Sequence, residues 1–330
     1  MKLEDIGFYT LKDSRVRNLN IDSPLQRCEL ILTHRCNFNC PYCRGIEKEN
    51  QKHLTWVEAA SVVNNWIDGG IQNIRFSGGE PTLWEGLENL VFICRCNGVK
   101  RIAVSTNGSA DIKQYKRLIK YGVNDFSISL DACCSATGDM MAGREGIWEK
   151  VISNIRELSK LTYVTVGIVV TDNNISELPN TIRFAHDLGV SDIRIIGAAQ
   201  WSADVTNGNI SLLGPVEDIM EQHPILNYRI NNMYNGREVR GIKDTDNHQC
   251  PLVLDDMAVL NGKHYPCIIY MREQGKEIGR MNQSIYQIRE ERYNWFKYHN
   301  CYDDPICRGN CLDVCIDYNN RVRELRSDLR

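Results

Sequence analysis

The stretch Cys36-Asn37-Phe38-Asn39-Cys40-Pro41-Tyr42-Cys43 stands just after an apolar run, Glu29-Leu30-Ile31-Leu32. That run is short, aliphatic and bounded by turn residues, so it reads as a β-strand. The cysteines then fall on the loop at the strand's carboxyl end, with spacing C-x3-C-x2-C. Three thiolates so close together suit one iron–sulfur cube in which each cysteine holds one iron. A zinc site ordinarily wants a fourth ligand and paired C-x2-C units. A [4Fe-4S] cluster on three cysteines keeps one iron open for a small molecule, the mark of a reactive centre.

Working outward, further strand-like runs are Asn73-Ile74-Arg75-Phe76, Arg101-Ile102-Ala103-Val104, Phe126-Ser127-Ile128-Ser129-Leu130, Tyr163 to Val170, and Ile193-Arg194-Ile195-Ile196. Between them lie segments with helical spacing. Thr55-Trp56-Val57-Glu58 has the form of a capping box and opens a helix expected to reach Ile67 and stop at Asp68-Gly69-Gly70. Similar helices are expected at 83–94, 112–121, 147–158 and 178–188. Six β-then-α units in series predict a parallel sheet, because a parallel connection needs a crossover. Six are too few for the eight-unit closed barrel, so the expected class is α/β, a partial (βα)6 barrel or an open sheet. Functional residues then belong at the carboxyl ends of the strands. The rhythm stops after Gly197. The expected divisions are an amino-terminal extension (1–27), the barrel core (28–198), an irregular linker (199–249) and a small cysteine-rich carboxyl-terminal iron–sulfur domain (250–330) that needs cross-links to fold.

The 330 residues are 42% hydrophobic and 25% charged with net charge -3, which excludes a disordered chain, a collagen and a polybasic nucleic-acid wrapper. No stretch approaches the roughly 20 apolar residues of a bilayer span. Met1-Lys2-Leu3-Glu4-Asp5 lacks the apolar core of a secretion signal. The expectation is a soluble cytoplasmic protein without a membrane partner. In a reducing compartment, fourteen cysteines clustered in two regions point to metal rather than to disulfides.

The first cysteine loop resembles the signature of the radical S-adenosylmethionine (SAM) superfamily, with Tyr42 as the aromatic before the third cysteine. Three further motifs support the resemblance, each at the end of a successive strand. Ser77-Gly78-Gly79-Glu80-Pro81 resembles the GGE motif that contacts the amino group of the methionine moiety. Ser105-Thr106-Asn107-Gly108 stands where family members place polar contacts to the ribose. Ser129-Leu130-Asp131, followed by Arg144, resembles the site in peptide-modifying members where an arginine pairs with the methionine carboxylate. Val166 to Val170, with Val169, matches the strand lining the adenine. The resemblance covers 28–197 and implies a [4Fe-4S] cluster with an open iron on Cys36, Cys40 and Cys43. It also implies reductive cleavage of SAM to a 5′-deoxyadenosyl radical, hydrogen abstraction from an unactivated carbon, and an electron donor such as flavodoxin or ferredoxin. Cys133-Cys134, at the mouth of the expected site, offers a hydrogen-donor thiol of the kind an epimerase-like reaction uses; a packing role is the alternative. Cys28, Cys94 and Cys96 read as small buried hydrophobes.

Cys250 to Cys267 reads C-x11-G-x4-C, and Cys301, Cys307, Cys311 and Cys315 read C-x5-C-x3-C-x3-C. This resembles the SPASM extension, with two departures. Tyr298 stands where the pattern has a further cysteine, and Cys315 follows Cys311 too closely. Six cysteines cannot fill two clusters, so the resemblance implies one auxiliary [4Fe-4S] cluster, as in the shorter twitch variants, held by Cys250, Cys267 and two of the last four. Two clusters completed by His299 or Asp303, or a structural zinc site, stay open. Trp201 and Tyr228 are candidates for a substrate channel, with packing the alternative.

Three functions compete. SPASM and twitch extensions are common in enzymes that modify ribosomal peptides, but only 27 residues precede Cys28, too few for the usual partner-binding winged-helix-like domain. Ile6-Gly7-Phe8-Tyr9-Thr10-Leu11 and Ser23-Pro24-Leu25-Gln26-Arg27-Cys28 look similar to bacteriophage-encoded radical proteins. Some of those act in thymine hypermodification, which makes modification or rearrangement of an aminoacyl-bearing DNA base, or a nucleotide, the leading expectation. The acidic balance argues mildly against extensive phosphate contact, though a flipped base needs only a local patch. A non-catalytic iron–sulfur electron-transfer protein is the third possibility.

Overall fold

The computed structural model describes residues 2–6, 8–9, 11–44, 53–198, 216–326 and 328; Gly7, Thr10 and Trp201 lie outside this set. Alternation within the strands builds the architecture. In β1 (Arg27–Thr33), Cys28 and Leu30 are buried while Arg27 and Glu29 are half-buried. β2 (Asn73–Gly78) repeats this with Ile74 and Phe76 against Asn73 and Arg75. One set of positions joins the apolar layer under the helices, and the other faces the barrel interior. β3 (Arg101–Thr106), β4 (Asp125–Ser129), β5 (Tyr163–Val170) and β6 (Asp192–Gly197) continue the sheet, each parallel to the last.

The crossover helices are α2 (Trp56–Asp68), α3 (Leu87–Cys96), α4 (Ile112–Tyr121), α6 (Trp148–Leu158) and α7 (Leu178–Asp187); α1 (Asp13–Asn18) precedes the sheet. Thr55 caps α2 in the expected box with Glu58. A helix not expected from the sequence, α5 (Ser135–Ala142), stands between β4 and α6. Its apolar spacing is weak because Gly138 and small residues dominate it, and the six-unit rhythm hid it. Of the three isolated cysteines, Cys28 and Cys94 are buried, but Cys96 is exposed at the last turn of α3.

The sheet does not end with the sixth unit. Its order is β6-β5-β4-β3-β2-β1-β7-β8-β9. β7 (Asp256–Leu260) lies parallel to β1, pairing Arg27 with Asp256 through Leu30 with Val259. β8 (Lys263–Tyr265) and β9 (Gly279–Arg280) follow antiparallel. Residues expected in a separate small domain therefore supply three strands to the barrel sheet. The amino-terminal segment is fastened to the same region: Ile6, Tyr9, Val16 and Leu19 pack with Leu252, Leu254, Phe296 and Tyr318. Arg15 bridges Asp255 and, at 3.0 Å, Asp256. Within the expected linker, Glu217–Met220 and Pro224–Tyr234 are helical. The second docks on β6, where Asp192 accepts from Ile225 N at 3.0 Å. No helix among the described residues is long and apolar enough to cross a membrane.

Candidate active site

Cys36, Cys40 and Cys43 all face one cavity of about 380 Å³ at the carboxyl ends of the strands. Their loop is pinned from two sides. Cys43 N donates to Cys40 O at 3.1 Å, and Asn39 N donates to Ala142 O, at the end of α5, at 2.9 Å. Asn37 Nδ2 donates to Ser109 Oγ, and Asn107 Nδ2 to Asn37 Oδ1, both at 2.8 Å. No disulfide ties up the three thiols. Burial pushes Cys40 up to about 12, with Asp131 adding to the shift, and raises Cys36 as well. Cys36 and Cys40, which resist ionisation alone, share the cavity wall with Cys43, and thiols so placed are donors that a cationic metal centre stabilises as thiolates.

Two glycine positions allow the close approach. A Cβ on Gly79 would stand 2.3 Å from Arg35 O, so the backbone after β2 can lie against the cysteine loop only without a side chain. Gly143 has φ +59°, and a Cβ there would stand 2.1 Å from Asn39 O. Gly143→Ala is expected to cost about 2 kcal/mol through the left-handed backbone and the displaced loop. Thermal unfolding together with iron retention checks this; an unchanged midpoint and full iron would contradict it.

Tyr42, Ser77, Gly78 and Gly79 line the cavity, as do Ser105, Asn107, Ser129, Asp131 and Val169. The Tyr42 hydroxyl hydrogen-bonds Asp131 Oδ2, and Val169 N donates to Asp131 Oδ1 at 2.7 Å. Burial raises the Asp131 carboxyl to about 6, with the Tyr42 and Val169 hydrogen bonds pulling the other way. The folded chain thus holds this proton from about pH 4 to 6, and stability is lost as pH rises through that window, by up to about 3 kcal/mol. Asp131→Asn is expected to flatten that part of the stability profile. Chemical denaturation at pH 4 and pH 7 measures the difference, and parallel profiles would refute it.

Four sequence expectations are corrected. Glu80 does not reach the cavity: it is fully buried, and Thr82, Thr106 Oγ1 and Asn107 N occupy its oxygens, the last at 2.7 Å. A carboxylate after a glycine pair reads as a ligand for an ammonium, yet here it joins the ends of β2 and β3. Arg144 is exposed, and its Nη1 donates to Asn37 O at 3.0 Å, so it braces the cysteine loop from outside. Cys133 and Cys134 do not line the cavity either. Cys134 Sγ faces Thr137 Oγ1 at 3.5 Å and Glu177 at 4.0 Å, because α5 turns the pair towards α7.

Residues 30–185 match the profile of the Radical SAM superfamily. The chain contains a radical SAM domain. A domain of this family implies a [4Fe-4S] cluster and S-adenosylmethionine as its cofactors. The "Probable GTP 3',8-cyclase" of Metallosphaera sedula is 28% identical over 177 residues, which are 52% of this chain and 56% of that protein. The chain thus spans about half the length of the first curated relatives it matches. The "GTP 3',8-cyclase" of Alkaliphilus metalliredigens is 26% identical over 312 residues, 86% of this chain and 94% of that one. In fold, the chain resembles SuiB of Streptococcus suis bound to S-adenosylmethionine, with TM-score 0.62 and 14% identity over 89% of this chain and 69% of that one. It also resembles anSMEcpe with bound AdoMet and Cp18Cys peptide, at TM-score 0.61 and 17% identity over 93% and 96% of the two chains.

The radical SAM cavity carries a feature that the motifs did not announce. Arg44, Arg75, Arg194, Arg240 and Arg272 line it, against two carboxylates, Glu29 and Asp131, among the described residues. Arg75 stands beside Glu29 in the β1–β2 register and lies 4.0 Å over the Phe8 ring. Arg194 Nη2 reaches Ser127 Oγ at 3.4 Å, and Arg240 Nη1 reaches Asn310 O at 3.3 Å. The Nε atoms of Arg75, Arg194 and Arg240 are buried without a hydrogen-bond partner. Burial pulls Arg240 down to about 10, with Arg44 and Arg229 adding repulsion. The signal was in the sequence: Glu29, Arg75 and Arg194 are charged residues at every-other positions of apolar strands, the positions that face a barrel interior.

None of the six carboxyl-terminal cysteines lines this cavity. Cys250, Cys307 and Cys311 pack against the cluster that holds buried Cys301, and Cys250 and Cys311 also pack against the one that holds Cys315. Asn319 Nδ2 donates to Cys250 Sγ at 3.5 Å, and Arg27 Nη2 to Cys315 Sγ at 3.6 Å. The Cys311 hydrogen bond and the Arg27 charge hold the Cys315 thiol down. Asp303 turns to Asn300 at 2.7 Å, and Tyr228 hydrogen-bonds Asp317 outside the cavity.

Proposed function

We propose that this radical SAM enzyme abstracts hydrogen from a phosphate-bearing nucleotide substrate, with an aminoacyl-bearing DNA base as its leading form. The observation that carries the reading is the arginine wall: buried guanidinium groups with unpartnered nitrogens are costly unless an anion meets them. Planar forks of this kind match phosphate oxygens two at a time. GTP, for which the GTP 3',8-cyclase relatives are named, belongs to the same chemical class.

In this reading Cys36, Cys40 and Cys43 hold the [4Fe-4S] cluster; their convergence on one cavity and their lack of disulfides fit that group. Bound there, the cluster and SAM supply one-electron cleavage and a carbon-centred radical for hydrogen abstraction. The chain's part is to place and shield. Gly78 and Gly79 bring bare backbone to the ligand, and Ser105, Asn107 and Ser129 offer hydroxyl and amide groups to it. Val169 gives an apolar surface, and the Asp131 carboxyl fixes the Tyr42 ring beside the cysteines. Ile268, Ile269 and Leu312 wall the cavity from the carboxyl-terminal side and limit water. Cys250, Cys267, Cys311 and Cys315 would hold one auxiliary iron–sulfur cluster, and a flavodoxin or ferredoxin would deliver the electron.

The test supplies deuterated nucleotides, single-stranded DNA bearing an aminoacyl base, and peptides to the reduced, reconstituted enzyme, and reads deuterium in 5′-deoxyadenosine. Label from a nucleotide or DNA substrate supports the proposal. Label from peptides alone would replace it with side-chain modification.

A further inference from the structure

Outside the cavity, one group among the described residues has the spacing of a metal site, and the auxiliary cluster proposed above does not draw on it. His299, Cys301 and Cys307 lie at the junction between the helix Ile285–Tyr298 and the helix Pro305–Asn310. Their ligand atoms all stand within 4.8 Å of one another. His299 Nε2 is 3.9 Å from Cys307 Sγ and 3.4 Å from Asp304 Oδ2. A single tetrahedral ion with metal–sulfur bonds of about 2.3 Å and metal–nitrogen bonds of about 2.0 Å sets neighbouring ligands about 3.6 Å apart.

We infer that His299, Cys301 and Cys307 bind a thiophilic metal ion of the zinc(II) or iron(II) class, with the imidazole as a direct ligand. The surroundings hold the geometry. Asp304 Oδ1 accepts from Ile306 N and Cys307 N at 2.8 and 3.0 Å and so fixes the turn that carries Cys307. The other Asp304 oxygen accepts from Tyr270 at 2.9 Å and stands 3.4 Å from His299 Nε2, within reach as a further donor. Trp295 stacks on the His299 ring at 4.0 Å between centroids and sets its plane. Cys301 N donates to His248 O at 2.7 Å, which anchors the other thiol. A ring held on one face by an indole, with its Nε2 turned towards two thiols, is placed as a ligand rather than as a surface base.

This site leaves Cys250, Cys267, Cys311 and Cys315 for the auxiliary cluster, and it stands whatever the substrate is. The experiment uses the full chain with Cys36, Cys40 and Cys43 replaced by alanine, so that metal at the first loop does not contribute. Element analysis identifies the ion. For zinc, X-ray absorption at its edge reads nitrogen coordination directly; for iron, nitrogen hyperfine coupling in pulsed EPR does so. The unaltered carboxyl-terminal segment is expected to show one nitrogen on the metal. His299→Ala is expected to weaken retention of that ion at least about tenfold, and His299→Cys to restore retention while removing the nitrogen signal. Sulfur-only coordination before any change at His299 would overturn the inference, and because it is read without a variant, misfolding cannot imitate it. Full retention of the ion by His299→Ala would overturn it as well.

Discussion

Replacing Cys40 with serine is expected to abolish cleavage of S-adenosylmethionine, lowering 5′-deoxyadenosine formation by at least about 10³-fold, or about 4 kcal/mol in the barrier. Cys40 is the central member of the three thiols around the cavity. Its sulfur also sits within 3.8 Å of Ala142 O, at the end of the helix that pins the loop. Serine is nearly isosteric, so the loop's backbone hydrogen bonds survive, and the loss is chemical rather than structural. Hydroxyl oxygen is too hard and too basic a donor to replace thiolate on iron. The iron bound at the first loop is expected to fall with the activity, while iron in the carboxyl-terminal segment stays. A Cys40→Ser chain with full iron and undiminished 5′-deoxyadenosine would remove the basis for assigning the cofactor to this loop. Wild-type chain that holds its iron yet forms no 5′-deoxyadenosine would instead point to a non-catalytic iron–sulfur protein.

Much of the barrel was legible because its signals are local. Period-two runs such as Asn73-Ile74-Arg75-Phe76 and the Thr55–Glu58 capping box report on a few neighbouring residues, and both form where expected. The cysteine loop was legible for the same reason: its three cysteines lie within eight residues, and all three line the cavity. What failed depended on partners distant in sequence. Glu80 was read from its two preceding glycines, but Thr106 and Asn107, 26 and 27 residues away, decide where its carboxylate goes. The place of β7 beside β1 joins residues more than 200 apart, and nothing in Asp256–Leu260 announces a parallel partner. The net charge of -3 argues only mildly against extensive phosphate contact. That balance averages over the whole surface and does not report that five arginines, from beside the cysteine loop, β2, β6 and the carboxyl-terminal half, line one cavity.

The arginine wall makes a prediction in which stability and function move in opposite directions. Arg240 is buried, has one weak partner in Asn310 O, and is pulled down to about 10 by burial and by Arg44 and Arg229. Its charged form is therefore a liability to the free chain, of about 3 kcal/mol as an upper bound. Arg240→Met keeps the aliphatic packing and removes the charge. Its thermal midpoint is expected to rise, by an amount equivalent to about 1–3 kcal/mol. Affinity for a phosphate-bearing substrate is expected to fall about 10- to 100-fold, the usual loss for a hydrogen bond to a charged group, and the remaining binding is expected to depend less on salt. A guanidinium kept only to hold the fold would give the reverse pattern, a lower midpoint with unchanged binding. Calorimetric unfolding and substrate titration at two ionic strengths, run on the same preparations, separate the two. A residue retained at a cost to the empty protein is retained for what fills the cavity.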